Sequence, residues 1–289
     1  MPIFPIRILR AAVALCIVLS AAPASAWWEY GHETVGSIAL ANVKPATRGA
    51  IEALLAKHAL LETPTCPART IEEAAVWADC VKGLGQRFSY MSSWHYQDHD
   101  VCKATLDIKA NCPDGNCLSA QIDRQIKLLK DSRVPQRERL TALILLVHFV
   151  GDLEQPLHNA EHDGDGGGNG TNTDYGMVHG ARLNLHKIWD GYLAERAIST
   201  PESLVRTYSD ADKARLTQGT VADWMRESWD VARTSVYPTA LGPDYCSKPA
   251  KSQGAVSERD IESLVPVVRE QVVKGGLRLA RLLDEIFAA

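Results

Sequence analysis

The segment from Glu138 to Leu153 constrains the fold more than any other part of the chain. Its leucine, isoleucine and valine residues leave almost no polar face, which predicts a helix buried at the centre of the molecule. The same helix carries His148 and Asp152, whose spacing of four residues puts both side chains on one face. Burial of these two groups costs free energy unless they pair or bind a metal. The segment therefore predicts a central helix with either a hydrogen-bonded core pair or a metal site.

Helical periodicity dominates the rest of the chain and predicts a mainly α fold in one compact domain, since no repeat or linker interrupts it. The longest irregular stretch is the glycine-rich Asn159–Asn184, and a loop of that length is more often functional than idle. Thr70-x-x-Glu73 is typical of a helix start, and Pro266 predicts a kink or a restart in the last helix. The other predicted helices are Glu33–Val43, Pro45–His58, Leu118–Lys130, Thr220–Tyr237 and Ser257–Phe287.

The N-terminus has the features of a secretory signal peptide. Two arginines, at positions 7 and 10, precede an apolar run over residues 11–22, and small residues up to Ala26 provide a cleavage site. We therefore expect residues 1–26 to be removed and residues 27–289 to form the exported domain. After Ala26 no apolar run is long enough to span a bilayer, so we expect no stable membrane association.

Cleavage after Ala26 would make Trp27 the first residue of the mature chain. A free α-amine and a carbonyl on one residue can chelate a metal, and His32 lies close enough in sequence to join them. Alternatively, Trp27 packs at an interface and His32 caps a helix. The new terminus therefore predicts either part of a metal site or an ordinary helix start.

Net charge and cysteine content further restrict the class of protein to which this chain can belong. The formal net charge is −4, which excludes the strongly basic surface of proteins that follow long duplexes. Any bound phosphate then needs positive charge from another source, such as a metal. Six cysteines follow the signal, and in an exported chain they favour disulfides over thiolate zinc ligands. The favoured pairs, which sequence alone does not determine, are Cys112–Cys117, Cys66–Cys80 and Cys102–Cys246.

Further residues of metal-binding type follow the first pair. His186 and Asp190 repeat its spacing of four, and His158 comes six residues after Asp152. Imidazoles and carboxylates in such a pattern are typical zinc ligands. Asp79 and His95 are weaker candidates, since alone they fit a solvated helix-end carboxylate and a half-buried aromatic.

In order and spacing, these motifs from Trp27 to Asp190 resemble the zinc nucleases of moulds, plants and bacteria of the single-strand-preferring S1/P1 type. That family shares its fold with bacterial zinc phospholipase C, so the resemblance implies a single helical domain of this type with a glycine-rich active-site loop. It also implies three Zn²⁺ ions. The implied ligands are Asp79, His95, His148 and Asp152 for one ion, the amine and carbonyl of Trp27 with His32 and Asp152 for a second, and His158, His186 and Asp190 for a third.

The resemblance implies an activity as well. Hydroxide formed between two zinc ions attacks phosphorus, and the third ion stabilises the leaving 3′-oxygen, so single-stranded DNA and RNA give products with a 5′-phosphate. A 3′-nucleotidase activity is expected too. Asp152 and Lys82 are the implied catalytic residues, and Tyr96 and Asp98 would stack and hydrogen-bond a base. The alternatives are a solvated helix-end lysine for Lys82 and core packing for Tyr96.

Two other functions remain as alternatives. Zinc phospholipase C is the first, although its second pair is typically His-x-x-x-Glu, whereas this chain has Asp190. A non-catalytic, exported zinc-binding protein is the second. Trp28 departs from the glycine that is usual in the family, and His162 and His179 are expected to be solvated loop residues. We expect an exported monomer, periplasmic or secreted.

Overall fold

Helices build most of the computed structural model, which describes residues 27–180, 183–249 and 252–287. The predicted signal peptide, residues 1–26, lies outside the described residues. The mainly α domain predicted from periodicity is confirmed. The helices are α1 Glu29–Asn42, α2 Pro45–Leu55, α3 Ile71–Cys80, α4 Leu118–Lys130, α5 Gln136–Leu153, α6 Leu185–Lys187, α7 Leu193–Ser199, α8 Asp210–Leu216, α9 Val221–Val231, α10 Tyr237–Leu241 and α11 Glu258–Phe287.

The predicted central helix is α5, and every residue from Ala142 to Leu153 is buried. Helices α3 and α4 pack against α5, and α11 packs against α5 and α1. The contact between α1 and α11 is close because Gly276 has no side chain: a Cβ there would lie 2.4 Å from Ile38. Among the described residues, no helix is both long and apolar enough to cross a membrane.

Two helix predictions are only partly matched by the structure. The Thr70 side chain accepts from the backbone N–H of Glu73, as predicted, but the Glu73 carboxylate accepts from Arg69 rather than closing a reciprocal box. The prediction that Pro266 kinks or restarts the last helix is not matched by a break, since α11 runs continuously past it. Pro266 is exposed, so the carbonyl that it leaves without an N–H partner can be hydrated.

Short strands and tight turns connect the helices. Strand β1 (His99–Asp100) pairs in parallel with β2 (Ala160–Glu161), and β3 (Thr173–Tyr175) pairs in parallel with β4 (Gly254–Val256). These pairings tie the glycine-rich loop to distant segments. The 3₁₀ turns are His58–Leu61, Val81–Arg87, Ser89–His95, Pro113–Gly115, Pro156–His158 and Tyr245–Ser247, and the π turns are Ile188–Tyr192 and Ala232–Val236.

Three disulfides confirm the favoured cysteine pairs. Cys66–Cys80 joins the loop before α3 to its end, and Cys112–Cys117 closes a turn before α4. Cys102–Cys246 joins residues 144 positions apart, so it holds the loop after β1 against the segment before β4. Bonds of this kind persist in oxidising compartments.

Candidate metal centre

Helix α5 contributes a fully buried histidine and aspartate to a larger polar cluster. His148 Nε2 lies 3.3 Å from Asp152 Oδ2. The other ring nitrogen of His148, Nδ1, is 2.6 Å from the carbonyl oxygen of Ala75 on α3 and must donate to it. This contact assigns the proton to Nδ1 and leaves the Nε2 lone pair directed into the cluster, as in histidines that bind metals.

Asp152 is surrounded by imidazoles from separate parts of the chain. Its Oδ1 lies 3.4 Å from Nε2 of His32 on α1, and its Oδ2 lies 3.1 Å from Nδ1 of His95. The carboxylate of Asp79, at the end of α3, lies 3.7 Å from both His95 Nδ1 and His148 Nε2. The cluster therefore contains far more than the hydrogen-bonded core pair that was one interpretation of α5.

A second cluster contains the other predicted ligands. His186 Nε2 is 3.1 Å from Asp190 Oδ2, and His158 Nε2 is 4.0 Å from Asp190 Oδ1. Each histidine donates its Nδ1 proton to a carbonyl oxygen, His186 to Gly167 and His158 to His95, at 2.7 Å in both cases. Both Nε2 atoms are therefore free to act as ligands.

These atoms fit divalent cations. Three groups have ligand atoms within 4.8 Å of one another: His32, Asp79 and His148; His95, His148 and Asp152; and His158, His186 and Asp190. Several polar atoms inside them are buried and have no hydrogen-bond partner, including Nε2 of His32 and His158 and one oxygen each of Asp152 and Asp190. Each such atom costs about 1–3 kcal/mol when unpaired. A cation bound within each group would provide a partner for these atoms.

Trp27 and Trp28, the first two residues that the structure describes, lie against both clusters. The Trp27 side chain is fully buried, and its indole N–H donates to the carbonyl of Gly151, at 3.0 Å. The backbone N–H of Trp28 donates to the carbonyl of Asp190, at 2.7 Å. These two hydrogen bonds hold the Trp27 backbone between Gly151, which precedes Asp152, and Asp190. The Trp28 ring covers Gly191, so any side chain there would collide with it.

The predicted catalytic and base-binding side chains lie beside the clusters. Lys82 Nζ is 2.5 Å from Asp79 Oδ1, and only 16% of the Lys82 side chain is exposed, so it is not the solvated lysine of the alternative. Tyr96 follows His95 and is 44% exposed, which contradicts core packing for its ring. Burial, followed by the nearby charge of Glu161, raises the pKa of Asp98 to about 8. The Asp98 carboxyl then carries a proton at neutral pH and can donate a hydrogen bond as well as accept one.

Comparison with known proteins identifies the family. The S1/P1 Nuclease family model matches residues 27–288. The chain belongs to the S1/P1 nuclease family. It is 28% identical to nuclease S1 of Aspergillus oryzae, over 90% of this chain and 91% of that protein. It is also 29% identical to endonuclease 3 of Arabidopsis thaliana, over 91% and 90%, and 24% identical to nuclease P1 of Penicillium citrinum, over 90% and 97%.

Family membership makes this protein a zinc-dependent nuclease, a hydrolase with nucleic acid as its substrate. A solved structure of Clostridium perfringens alpha-toxin has a similar fold, with a TM-score of 0.50 and 15% identity, covering 93% of this chain and 66% of that one. The predicted helical domain of the zinc nuclease and zinc phospholipase C type is therefore confirmed.

The histidines of this S1/P1 nuclease differ in charge preference. Burial lowers the pKa of His32, His95 and His158, that of His95 to about 4, so these rings are neutral near pH 7 and have a lone pair for a metal. Burial also acts to lower the pKa of His148 and His186, but the facing aspartates outweigh it and raise both, that of His186 to about 9. Positive charge is therefore favoured beside Asp152 and Asp190, where a cation would bind.

Sequence reasoning missed two residues that hold the ligands of the nuclease. The fully buried Gln155 donates its amide N–H to Asp190 Oδ1, and its amide oxygen accepts from the backbone of Leu157. Gly151 leaves room for His32, because a Cβ there would lie 2.7 Å from its ring. A signal for Gly151 exists in the sequence, since glycine inside a helix costs about 1 kcal/mol relative to alanine and needs a reason.

The glycine-rich loop of the nuclease is organised by Asp165, which sequence reasoning also missed. Its buried carboxylate accepts from the backbone of His162 and Gly168 and from the hydroxyls of Thr171 and Tyr237. The expectation that His162 is solvated was wrong: it is buried, with the Tyr237 and Tyr245 rings 5.7 Å away. His179 is exposed, as expected.

The same loop positions a proposed ligand. Gly167 adopts a φ of +63°, and a Cβ there would lie 2.2 Å from the carbonyl of Leu157, so only glycine fits. The carbonyl of Gly167 is the acceptor for His186 Nδ1. The loop therefore holds and orients the His186 ring.

Proposed function

We propose that this nuclease holds three zinc ions and hydrolyses phosphodiester bonds of single-stranded DNA and RNA to products with a 5′-phosphate, with 3′-nucleotidase activity as well. The arrangement around Asp152 carries the proposal. One oxygen of this fully buried carboxylate faces His32, and the other faces His95 and His148. A buried carboxylate with imidazoles on both oxygens is suited to bridge two cations.

The proposed ligand sets are those that the family resemblance implies; the third coincides with one group of ligand atoms in the structure, the first contains another, and His32, which groups with Asp79 and His148, lies 3.4 Å from Asp152. Each group combines imidazoles, which bind a metal in their neutral form, with at least one carboxylate, as zinc prefers. The residues that would hold the ions are Asp79, His95, His148 and Asp152 for the first; the amine and carbonyl of Trp27 with His32 and Asp152 for the second; and His158, His186 and Asp190 for the third.

The chain's own side chains would then bind and orient the substrate. When bound, zinc supplies Lewis acidity, which makes water a nucleophile near neutral pH and stabilises charge on phosphate oxygens. Lys82, held at Asp79, places a further positive charge beside the reacting phosphate, as a point charge rather than a fork. Tyr96 presents an exposed ring on which an unpaired base can stack, which favours single strands over duplex.

Export and a monomeric state belong to the same proposal. The family match begins at Trp27, the residue after the expected cleavage site. Three disulfides suit an oxidising compartment. All nine proposed ligands come from one chain, so the centre needs no partner subunit.

Metal analysis of the mature protein, followed by parallel digestion of single-stranded DNA, RNA, duplex DNA and a phosphatidylcholine emulsion, tests the proposal. We expect three zinc ions per chain, faster cleavage of single strands than of duplex, and 5′-phosphate ends. Removal of zinc with a chelator should abolish cleavage, and added zinc should restore it. Lipid hydrolysis without nucleic-acid cleavage would establish the phospholipase alternative, and zinc binding without either activity would establish the zinc-binding alternative.

Gln155→Leu should weaken the third zinc site selectively. The variant keeps the side-chain size but removes the amide that donates to Asp190, so Asp190 loses its orientation. Loss of such a supporting hydrogen bond costs about 10–100-fold in metal affinity. Zinc retained per chain during titration with a chelator measures the effect, and we expect one ion to leave earlier than in the wild type.

Gln121→Leu provides the matched control. Gln121 is also a buried glutamine, but its amide donates to the carbonyl of Gly115 in the turn before α4. Gln121→Leu should lower the free energy of unfolding without changing the order in which the zinc ions are lost. Identical zinc release by the wild type and Gln155→Leu would remove the assigned role of Gln155.

A further inference from the structure

Two exposed side chains, Tyr90 and Arg124, contact the buried ring of Trp94 in the turn that leads to the metal centre. Tyr90 is 58% exposed, and its ring meets Trp94 edge to face, with centroids 5.2 Å apart. The guanidinium of Arg124, on α4, lies 5.8 Å from the centroid of the Trp94 ring. We call these three residues the Tyr90–Arg124 surface.

The position of this surface relative to the metal centre is determined by its neighbours in the chain. Tyr90 and Trp94 belong to the 3₁₀ turn Ser89–His95, which ends at the proposed ligand His95. The indole N–H of Trp94 donates to Asn116 Oδ1, at 3.0 Å, and the backbone carbonyl of Tyr96 accepts from Leu118 at the start of α4. Tyr90 therefore lies in the same turn as His95, and the helix that carries Arg124 begins with a hydrogen bond to the residue after His95.

Arg124 has charge to offer to a ligand. Within residues 27–180, 183–249 and 252–287, no carboxylate forms an ion pair with its guanidinium, and the side chain is exposed. In a chain with a net charge of −4, such a free cation next to the site matters for a polyanionic substrate. An exposed ring and a free guanidinium that contact the same indole form a combination that can bind bases and phosphates of single strands.

We propose that the Tyr90–Arg124 surface binds nucleotides of a single-stranded nucleic acid that lie beyond the pair joined by the scissile phosphate. A base stacks on Tyr90, and a neighbouring phosphate contacts Arg124. The inference rests on the proposed function, since it extends that substrate beyond the nucleotide at Tyr96. It predicts that the enzyme prefers longer strands to dinucleotides, with little dependence on sequence because every base can stack.

Tyr90→Ala and Arg124→Gln test the surface. The readout is the ratio of kcat/KM for an oligonucleotide of about 20 bases to that for a dinucleoside monophosphate, which has no nucleotide beyond the cleaved pair. We expect each variant to lower this ratio about tenfold, mainly through KM for the oligonucleotide. In Arg124→Gln, the dependence of log KM on log salt should also become shallower by about 0.7, the value of one phosphate contact.

Two matched variants separate binding from stability. Tyr90→Phe keeps the ring and should keep the ratio. Arg206→Gln removes another guanidinium that lies over a ring, 4.6 Å from the centroid of Tyr208. Arg206 lies beside the C-terminal end of α1, whereas His32 lies near its start, so this variant should also keep the ratio. If the wild type cleaves both substrates and neither Tyr90→Ala nor Arg124→Gln changes the ratio, this inference is overturned while the proposed function stands. A wild type that cleaves neither overturns the proposed function.

Discussion

Asp152→Asn should abolish cleavage and remove zinc from two of the three sites. The Asp152 carboxylate is fully buried, and its two oxygens lie 3.1–3.8 Å from the nearest nitrogens of His32, His95, His148 and His158. Asparagine keeps the size but replaces the charge and one oxygen with an N–H₂ donor that points at the ligand nitrogens. Each metal ion contributes several kcal/mol to the transition state, so we expect activity to fall at least about a thousandfold.

Zinc content per folded chain is the decisive measurement for Asp152→Asn. Glu154→Gln is the matched control, because it removes another fully buried carboxylate, two residues further on, that pairs with Arg278 instead of the cluster. Glu154→Gln should lower the melting temperature but retain three zinc ions. Asp152→Asn with three zinc ions and the wild-type rate would exclude a bridging role.

The parts of the centre that lie within one helix could be predicted from the sequence. A spacing of four residues places His148 with Asp152, and His186 with Asp190, because a helix turn determines both contacts. The apolar surroundings in α5 then required a charged partner for Asp152. Resemblance to the family added Asp79 and His95, whose local sequence alone fits a solvated helix-end carboxylate and a half-buried aromatic side chain.

Hydrogen bonds between distant segments could not be predicted, since they depend on how the loops pack. Asp165 meets Tyr237 across 72 residues, and Gln155 meets Asp190 across 35. Neither pair has a spacing or a charge pattern that marks it. The buried position of His162 has the same cause, because its surroundings come from α10 and the turn at Tyr245.

A single residue in front of Trp27 should remove one zinc ion and most of the activity. A terminal amine has a lone pair for a metal, whereas an amide nitrogen has given its lone pair to the carbonyl. Two forms of the domain test this: one that begins at Trp27, and one with a single glycine before it. We expect three and two zinc ions per chain, and at least about a hundredfold loss of kcat/KM in the extended form.

The two N-terminal forms can be compared directly because the added glycine should leave the fold intact. The Trp27 indole keeps its bond to Gly151, and the Trp28 amide keeps its bond to Asp190, with or without a preceding residue. A glycine added after Ala289 is the control for the extra residue itself. Equal zinc content and equal rates in both N-terminal forms would show that the amine is not a ligand.

Coupling of export to activity follows from that result. A precursor with Trp27 in a peptide bond to Ala26 has eight side-chain ligands but no terminal amine. It should therefore bind the third ion normally, through His158, His186 and Asp190, and fail at the ion beside His32. Full-length protein retained in the cytosol should show this two-zinc, nearly inactive state, and cleavage after Ala26 in vitro should restore both the zinc and the rate.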